Sequence, residues 1–221
     1  VWIIAWYQLT EHPAPAQPSH SLLGAYAIVC RSPMFISYWL IAALAFACHF
    51  SFIVVSPLLF LEQLQLTSYR YSLILLLYGA AYVSGGLMAH LLARRISANS
   101  QIIVGLLLIL VAGALMLLLY RLMGLSVPSV LLPMIVCTAG ITIARPIATS
   151  RAMDVFPEWA GTASSVGSAL IFIFAGTVSA LVNLIPGSLQ ITLATGFVSM
   201  SVIALGLIAC ICQHQRIQPA A

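Results

Sequence analysis

His49 is the titratable side chain best placed for chemistry, because it lies near the middle of a long apolar run. At helical spacing it shares a face with Ala42, Ala45, Phe52 and Ser56. Histidine changes charge near neutral pH, so at this depth it is suited to contact a substrate or to carry a proton. The alternative is a neutral histidine that is hydrogen-bonded to a neighbouring hydroxyl or carbonyl group.

Large aromatic side chains lie at a similar depth on several apolar runs. Their faces suit bulky apolar or cationic ligands, and ordinary helix packing is the alternative. The aromatic candidates are Phe46, Phe52, Tyr78, Tyr82 and Phe172. Together with His49, they are the predicted substrate contacts.

Two pairs that contain proline are the candidate hinges or gates, namely Ser56–Pro57 and Arg145–Pro146. Proline removes an amide donor and bends a helix, which permits movement at these points. Arg145 lies about two turns inside the end of its run. Its side chain either extends outward to the membrane surface or faces a cavity that takes an anionic or polar ligand.

The apolar runs that carry these residues contain no carboxylate. The four acidic residues lie in or at the edges of connections, at Glu11, Glu62, Asp154 and Glu158. Hydrophobic residues make up 62% of the chain and charged residues 5%, whereas roughly a quarter of a soluble domain is charged. The solvent of this chain is therefore predicted to be the lipid bilayer.

Six runs are long enough to cross a hydrocarbon core of about 30 Å. They cover approximately 34–61, 71–93, 101–121, 128–150, 161–184 and 189–212. The pattern predicts an all-α membrane protein with a six-helix bundle at 34–212. Residues 1–9 are expected to end a preceding transmembrane helix, residues 10–33 to form a cytoplasmic linker, and residues 213–221 a cytoplasmic tail.

Arginine distribution predicts the orientation. One side of the membrane receives Arg31, Arg94, Arg95, Arg151 and Arg216, and the other receives Arg70 and Arg121. Positive residues accumulate on the cytoplasmic side, so both ends of the chain are expected in the cytoplasm.

The runs differ in character with a period of three. The first, second, fourth and fifth carry small, hydroxyl-bearing or proline residues, and we expect them to be interior or cavity-lining, with the fifth packed inside the bundle. The third and sixth are nearly pure hydrocarbon and are expected at the periphery. This suggests two three-helix units of inverted topology, an arrangement that transporters use to form a site near the bilayer midplane.

Other functional classes find little support. No basic stripe with aromatic residues indicates a nucleic-acid partner. No H-E-x-x-H motif is present, and Ser56 and His49 lie about two turns apart on one run, too far for proton transfer, so an enzyme is not expected. His49 and His90 differ in depth, which excludes them as axial ligands of one haem; neither a metal nor another cofactor is expected.

Three segments resemble a known family. The strongest is Arg145 to Ala163, with matches at Pro146, Ala148, Thr149, Ala152, Asp154, Phe156, Pro157 and the run Ala160–Ala163. The second is Ser56–Pro57 with Glu62 and Leu66–Ser68, and the third, weaker one is Gly85–Arg95. They resemble drug–proton antiporters of the major facilitator superfamily, in the Bcr/CflA and EmrD branch.

The resemblance covers about residues 1–213 and implies helices seven to twelve of a twelve-helix protein. It implies secondary active efflux of apolar or cationic drugs in exchange for protons, by alternating access, across a bacterial inner membrane. The partner would be an N-terminal six-helix half, and the coupling residue would lie in that half or be His49. A structural or assembly membrane subunit with no transport of its own is the alternative.

Overall fold

The computed structural model describes residues 22–185 and 187–217, and this part of the chain is helical with short connections. The helices are α1 (Leu22–Arg31), α2 (Pro33–Pro57), α3 (Ser68–Ala93), α4 (Ala98–Met123), α5 (Val127–Met153), α6 (Ala160–Leu184) and α7 (Leu189–Ile217). A π-helical segment, Leu58–Gln63, continues α2, and a 3₁₀ turn, Pro157–Trp159, precedes α6.

Helices α2 to α7 are six helices long and apolar enough to cross a membrane. They confirm the six predicted spans, and the last one continues beyond the predicted boundary to Ile217. The predicted helix end at 1–9, the proline-rich part of the linker and residues 218–221 lie outside the described residues.

Helix α1 lies within the stretch that the sequence predicted as a linker. It packs against α2 and α6, and its Val29 side chain is fully buried. The Tyr26 hydroxyl is 3.1 Å from the Ser165 hydroxyl of α6. Part of the predicted linker is therefore a helix that is attached to the membrane domain.

Two helices form the centre of the bundle. Helix α2 packs against α5, α6 and α7, and α5 packs against α2, α3 and α4. Helices α4 and α7 pack against each other behind these two, whereas α3 and α6 make no extensive contact with each other in the described part of the chain. Helices α2 and α5 thus lie between α3 and α6, and the side of these four helices that faces away from α4 and α7 is called the cleft, with α3 and α6 as its walls.

This arrangement confirms the interior position of the first and fourth spans, and it places the second and fifth beside the cleft rather than in the interior. Helix α6 is not packed inside the bundle, and α3 is the most exposed of the six spans. On these two helices, a methyl group added to any of four glycines would meet no described atom within 4 Å; these are Gly79, Gly86, Gly161 and Gly176. These glycines lie on helix faces that no other helix of the described chain covers.

Helices α4 and α5 approach each other closely at two glycines. A Cβ atom on Gly105 would lie 2.6 Å from the Gly140 carbonyl oxygen and 2.7 Å from the Ala144 Cβ. The same test at Gly140 gives 2.5 Å to the Gly105 carbonyl oxygen. Only glycine on both helices allows this contact, which fixes α4 behind the central pair.

A proline in α5 is accommodated by a side chain from α7. Pro133 has no amide hydrogen, so the Ser129 carbonyl lacks its helical donor. Gln190, which is fully buried, donates its Nε2 hydrogen to that carbonyl at 3.0 Å. The Ser129 hydroxyl donates to Ser126 O at 2.9 Å. The carbonyl that the proline leaves without a helical donor is therefore paired with a side chain of α7.

Candidate functional site

His49 lies near the middle of the continuous helical segment Pro33–Gln63, and its side chain is half-buried. Its Nδ1 atom is hydrogen-bonded to the Tyr78 hydroxyl of α3. The two rings are stacked, with centroids 5.6 Å apart and an interplanar angle of 17°. The histidine therefore has a fixed orientation toward the α3 wall of the cleft.

Tyr82 adds a second phenol beside the same histidine. It lies one helical turn after Tyr78, and its ring centroid is 5.5 Å from that of His49. Tyr78 is buried, whereas Tyr82 is 37% exposed. Helix α3 thus presents one phenol that holds His49 and another that is open to the cleft.

Phe46 connects this group to the other two helices of the cleft. Its ring lies 6.1 Å from His49 and 5.7 Å from Phe172 of α6, and it meets Phe172 edge to face. The Arg145 guanidinium carbon of α5 lies 4.3 Å from the centroid of the Phe46 ring. The structure therefore brings together predicted residues from four different helices, α2, α3, α5 and α6.

Phe52 occupies a different kind of position. It is fully buried, and its ring packs against Tyr78 at 5.1 Å and against Phe60 at 6.5 Å. Phe52 was predicted as a substrate contact, but the structure places it behind Tyr78, where it supports the phenol rather than facing the cleft.

The Ser56–Pro57 pair ends the regular part of α2. Pro57 leaves the Ile53 carbonyl without a helical donor, and the Ser56 hydroxyl donates to that carbonyl at 3.0 Å. The Tyr71 hydroxyl of α3 lies 2.8 Å from Ser56 Oγ and, since the Ser56 hydrogen is already used, acts as the donor. Beyond this point the chain is π-helical, a geometry that is frequent at functional sites.

Tyr71 was not singled out from the sequence, although a signal for it exists. Tyr71, Tyr78 and Tyr82 are separated by intervals of seven and four residues, which places all three on one face of α3. Two of them contact predicted site residues of α2 around His49, and Tyr71 contacts Ser56 about two turns farther along.

Arg145 and Pro146 lie beside an open groove of about 500 Å³ on α5, which is lined by Arg145, Pro146, Thr149, Ser150, Met153 and Asp154. Pro146 is exposed, and Arg145 is half-buried. Because the guanidinium lies over Phe46, which is about 20 Å from the start of α2, the side chain points toward the middle of the membrane domain. Of the two orientations that the sequence left open, the structure shows the one that faces the cleft.

His90 is separate from this group. It lies near the end of α3, is exposed, and its Nε2 atom is 3.4 Å from an Arg94 guanidinium nitrogen. Among the described residues, no cluster of three or more histidine, cysteine or carboxylate side chains could hold a metal ion.

The six apolar helices and the cleft between them have the architecture of one six-helix half of a membrane transporter. A family model of the Major Facilitator Superfamily matches residues 1–180, and the chain belongs to that family. The family consists of transporters rather than enzymes. No curated protein matches the chain.

Proposed function

We propose that the chain is the C-terminal half of a secondary active transporter that exports small drug-like molecules in exchange for protons. The observation that carries this proposal is the His49–Tyr78–Tyr82–Phe46–Phe172–Arg145 cluster, which four helices assemble at mid-depth in the cleft. The resemblance of residues 145–163 to the drug–proton antiporter branch supports the type of transport.

The exposed faces of the cleft walls support an N-terminal half as the partner. Helices α3 and α6 flank the cleft, and each exposes an aromatic side chain of the cluster, Tyr82 at 37% and Phe172 at 60%. A second six-helix half that packs on these faces would close the cleft into a cavity. Rocking of the two halves about the cluster would then expose it to each side of the membrane in turn.

The hinge residues are proposed to permit that movement. Ser56 and Pro57 end the regular α-helix beside the Tyr71 contact, and Arg145 and Pro146 lie at the groove on α5. Both ends of the chain are proposed to lie in the cytoplasm, in a bacterial inner membrane, because arginine accumulates at the end of the bundle that carries Arg94, Arg95 and Arg151.

The coupling proton is proposed to be carried mainly by an acidic residue of the partner half. Within the described chain, no carboxylate faces His49 from the helices around it; the charged or titratable groups beside it are Tyr78 and Tyr82 of α3 and Arg145 of α5. His49 accordingly contributes to binding and orientation, and any part that it takes in coupling is measured by the next experiment.

His49→Ala is expected to change the inhibitory concentrations of the transported drugs by about fivefold to tenfold. The reason is that the substitution removes a hydrogen-bonded contact worth roughly 1 kcal/mol. The measurement is drug susceptibility and efflux at several pH values, with the complete gene expressed in a pump-deficient bacterial host. His90→Ala is the control, since His90 lies at the end of α3 and outside the cluster. Equal expression with unchanged efflux of every drug at every pH would remove the cluster from the transport pathway.

A further inference from the structure

Arg145 is the one permanent charge in the cluster around His49, among the described residues. Its guanidinium lies against the face of Phe46 at 4.3 Å from the ring centroid. A guanidinium that stacks on a ring with its flat face keeps its N–H groups free at the edge of the plane. The Arg145 guanidinium makes no hydrogen bond or ion pair with the described residues, so its N–H groups remain available to a ligand while the ring contact holds the charge beside Phe46.

The described part of the chain does not supply a counterion at this depth. The nearest carboxylate along α5 is Asp154, which lies about 13 Å farther along the helix axis. The other described carboxylates, Glu62 and Glu158, lie at the π-helical end of α2 and in the turn before α6. An arginine at membrane depth is costly unless it is paired or reaches water, so such residues commonly mark a binding site.

We propose that this cluster binds an anionic group of the substrate, and that the transported molecules are aromatic or apolar compounds with one negative charge. The inference rests on the proposed function and specifies its substrate class. It departs from the expectation of cationic drugs, because a cation in this cleft would meet the Arg145 charge with no described carboxylate nearby to offset it.

The cleft has a place for the charged end of such a ligand and another for its apolar body. A carboxylate or sulfonate accepts two parallel N–H bonds from the free edge of the Arg145 guanidinium. The apolar body of the ligand then lies against Phe172 and Tyr82, whose rings are exposed at 60% and 37%. His49 is held by Tyr78 and provides a polar contact between these two regions.

Three probes of the same shape and different charge test the inference: naphthoate, naphthalenemethanol and naphthylmethylammonium. Binding is measured with the complete protein in lipid nanodiscs, after subtraction of binding to empty nanodiscs. Wild-type protein is expected to bind naphthoate at least about tenfold more tightly than the alcohol, and the ammonium compound least. Arg145→Gln is expected to abolish the preference for naphthoate, and Arg145→Lys to retain part of it.

Arg121→Gln is the matched control, because Arg121 is exposed at the far end of α4, and it should leave all three affinities unchanged. Equal affinity for naphthoate and the alcohol, no naphthoate binding, or a preference that survives Arg145→Gln would overturn the assignment of an anionic substrate. The proposed transport role is tested separately. It fails if His49→Ala leaves efflux unchanged, a result that does not depend on the charge of the ligand.

Discussion

Gly105→Ala is expected to destabilise the membrane domain by about 3 kcal/mol, at the upper end of the usual cost of overpacking. The added methyl group would lie 2.6 Å from the Gly140 carbonyl oxygen and 2.8 Å from the Ala144 amide nitrogen. Both atoms belong to the backbone of α5, so a side-chain rotation cannot relieve the clash. Helices α4 and α5 would have to separate along their whole contact.

The measurement is thermal unfolding of the purified protein in one detergent, where this loss corresponds to roughly 10 °C in Tm. Gly86→Ala provides the control, because a Cβ added to Gly86 meets no described atom within 4 Å and alanine is the better helix former. A Gly105→Ala protein that melts together with the Gly86→Ala protein would show that the two helices are not in contact at Gly105 and Gly140.

Gln190→Leu is expected to cost about 2 kcal/mol, because it leaves the Ser129 carbonyl unpaired inside the bundle. The Gln190 amide is the donor that replaces the missing Pro133 N–H, at 3.0 Å from that carbonyl. Leucine has a similar size, so the loss reflects hydrogen bonding rather than a cavity.

The cause is tested by the same substitution in a Pro133→Ala background. Alanine restores an amide hydrogen to position 133, so the cost of Gln190→Leu should fall to about 1 kcal/mol. Thr195→Val is the control on α7, since the exposed Thr195 hydroxyl bonds within its own helix, to Ile191 O at 2.9 Å. An equal cost of Gln190→Leu with and without Pro133 would refute the proposed repair of the helix.

The spans were predictable because their signal is local. About 20 consecutive apolar residues are sufficient to predict a crossing helix, and each predicted run lies within one described helix, apart from the first run, which continues into the π-helical segment. The position of each helix in the bundle depends on contacts between distant parts of the chain. Glycine and serine favour close helix contacts of any kind, including contacts with a partner, so they do not show which helix is packed inside. The sequence therefore predicted that α6 is packed inside, where the structure shows an open face.

The sequence predicted which residues form the candidate site but not how these residues contact one another. Depth along each run brought His49, Phe46, Tyr78, Tyr82 and Phe172 to one level, and the structure places them together. The direction of the Arg145 side chain was not predictable, because its long stem reaches either the membrane surface or the cleft. The Gln190 contact with Ser129 is equally hidden, since it joins residues that are 61 positions apart.

The attachment of α1 has a mechanical consequence. Its Tyr26 is linked to Ser165 of α6, and Val29 is buried against the domain, so α1 is attached to one wall of the cleft. A tilt of α6 at the Ser165 contact would therefore displace α1 together with that wall.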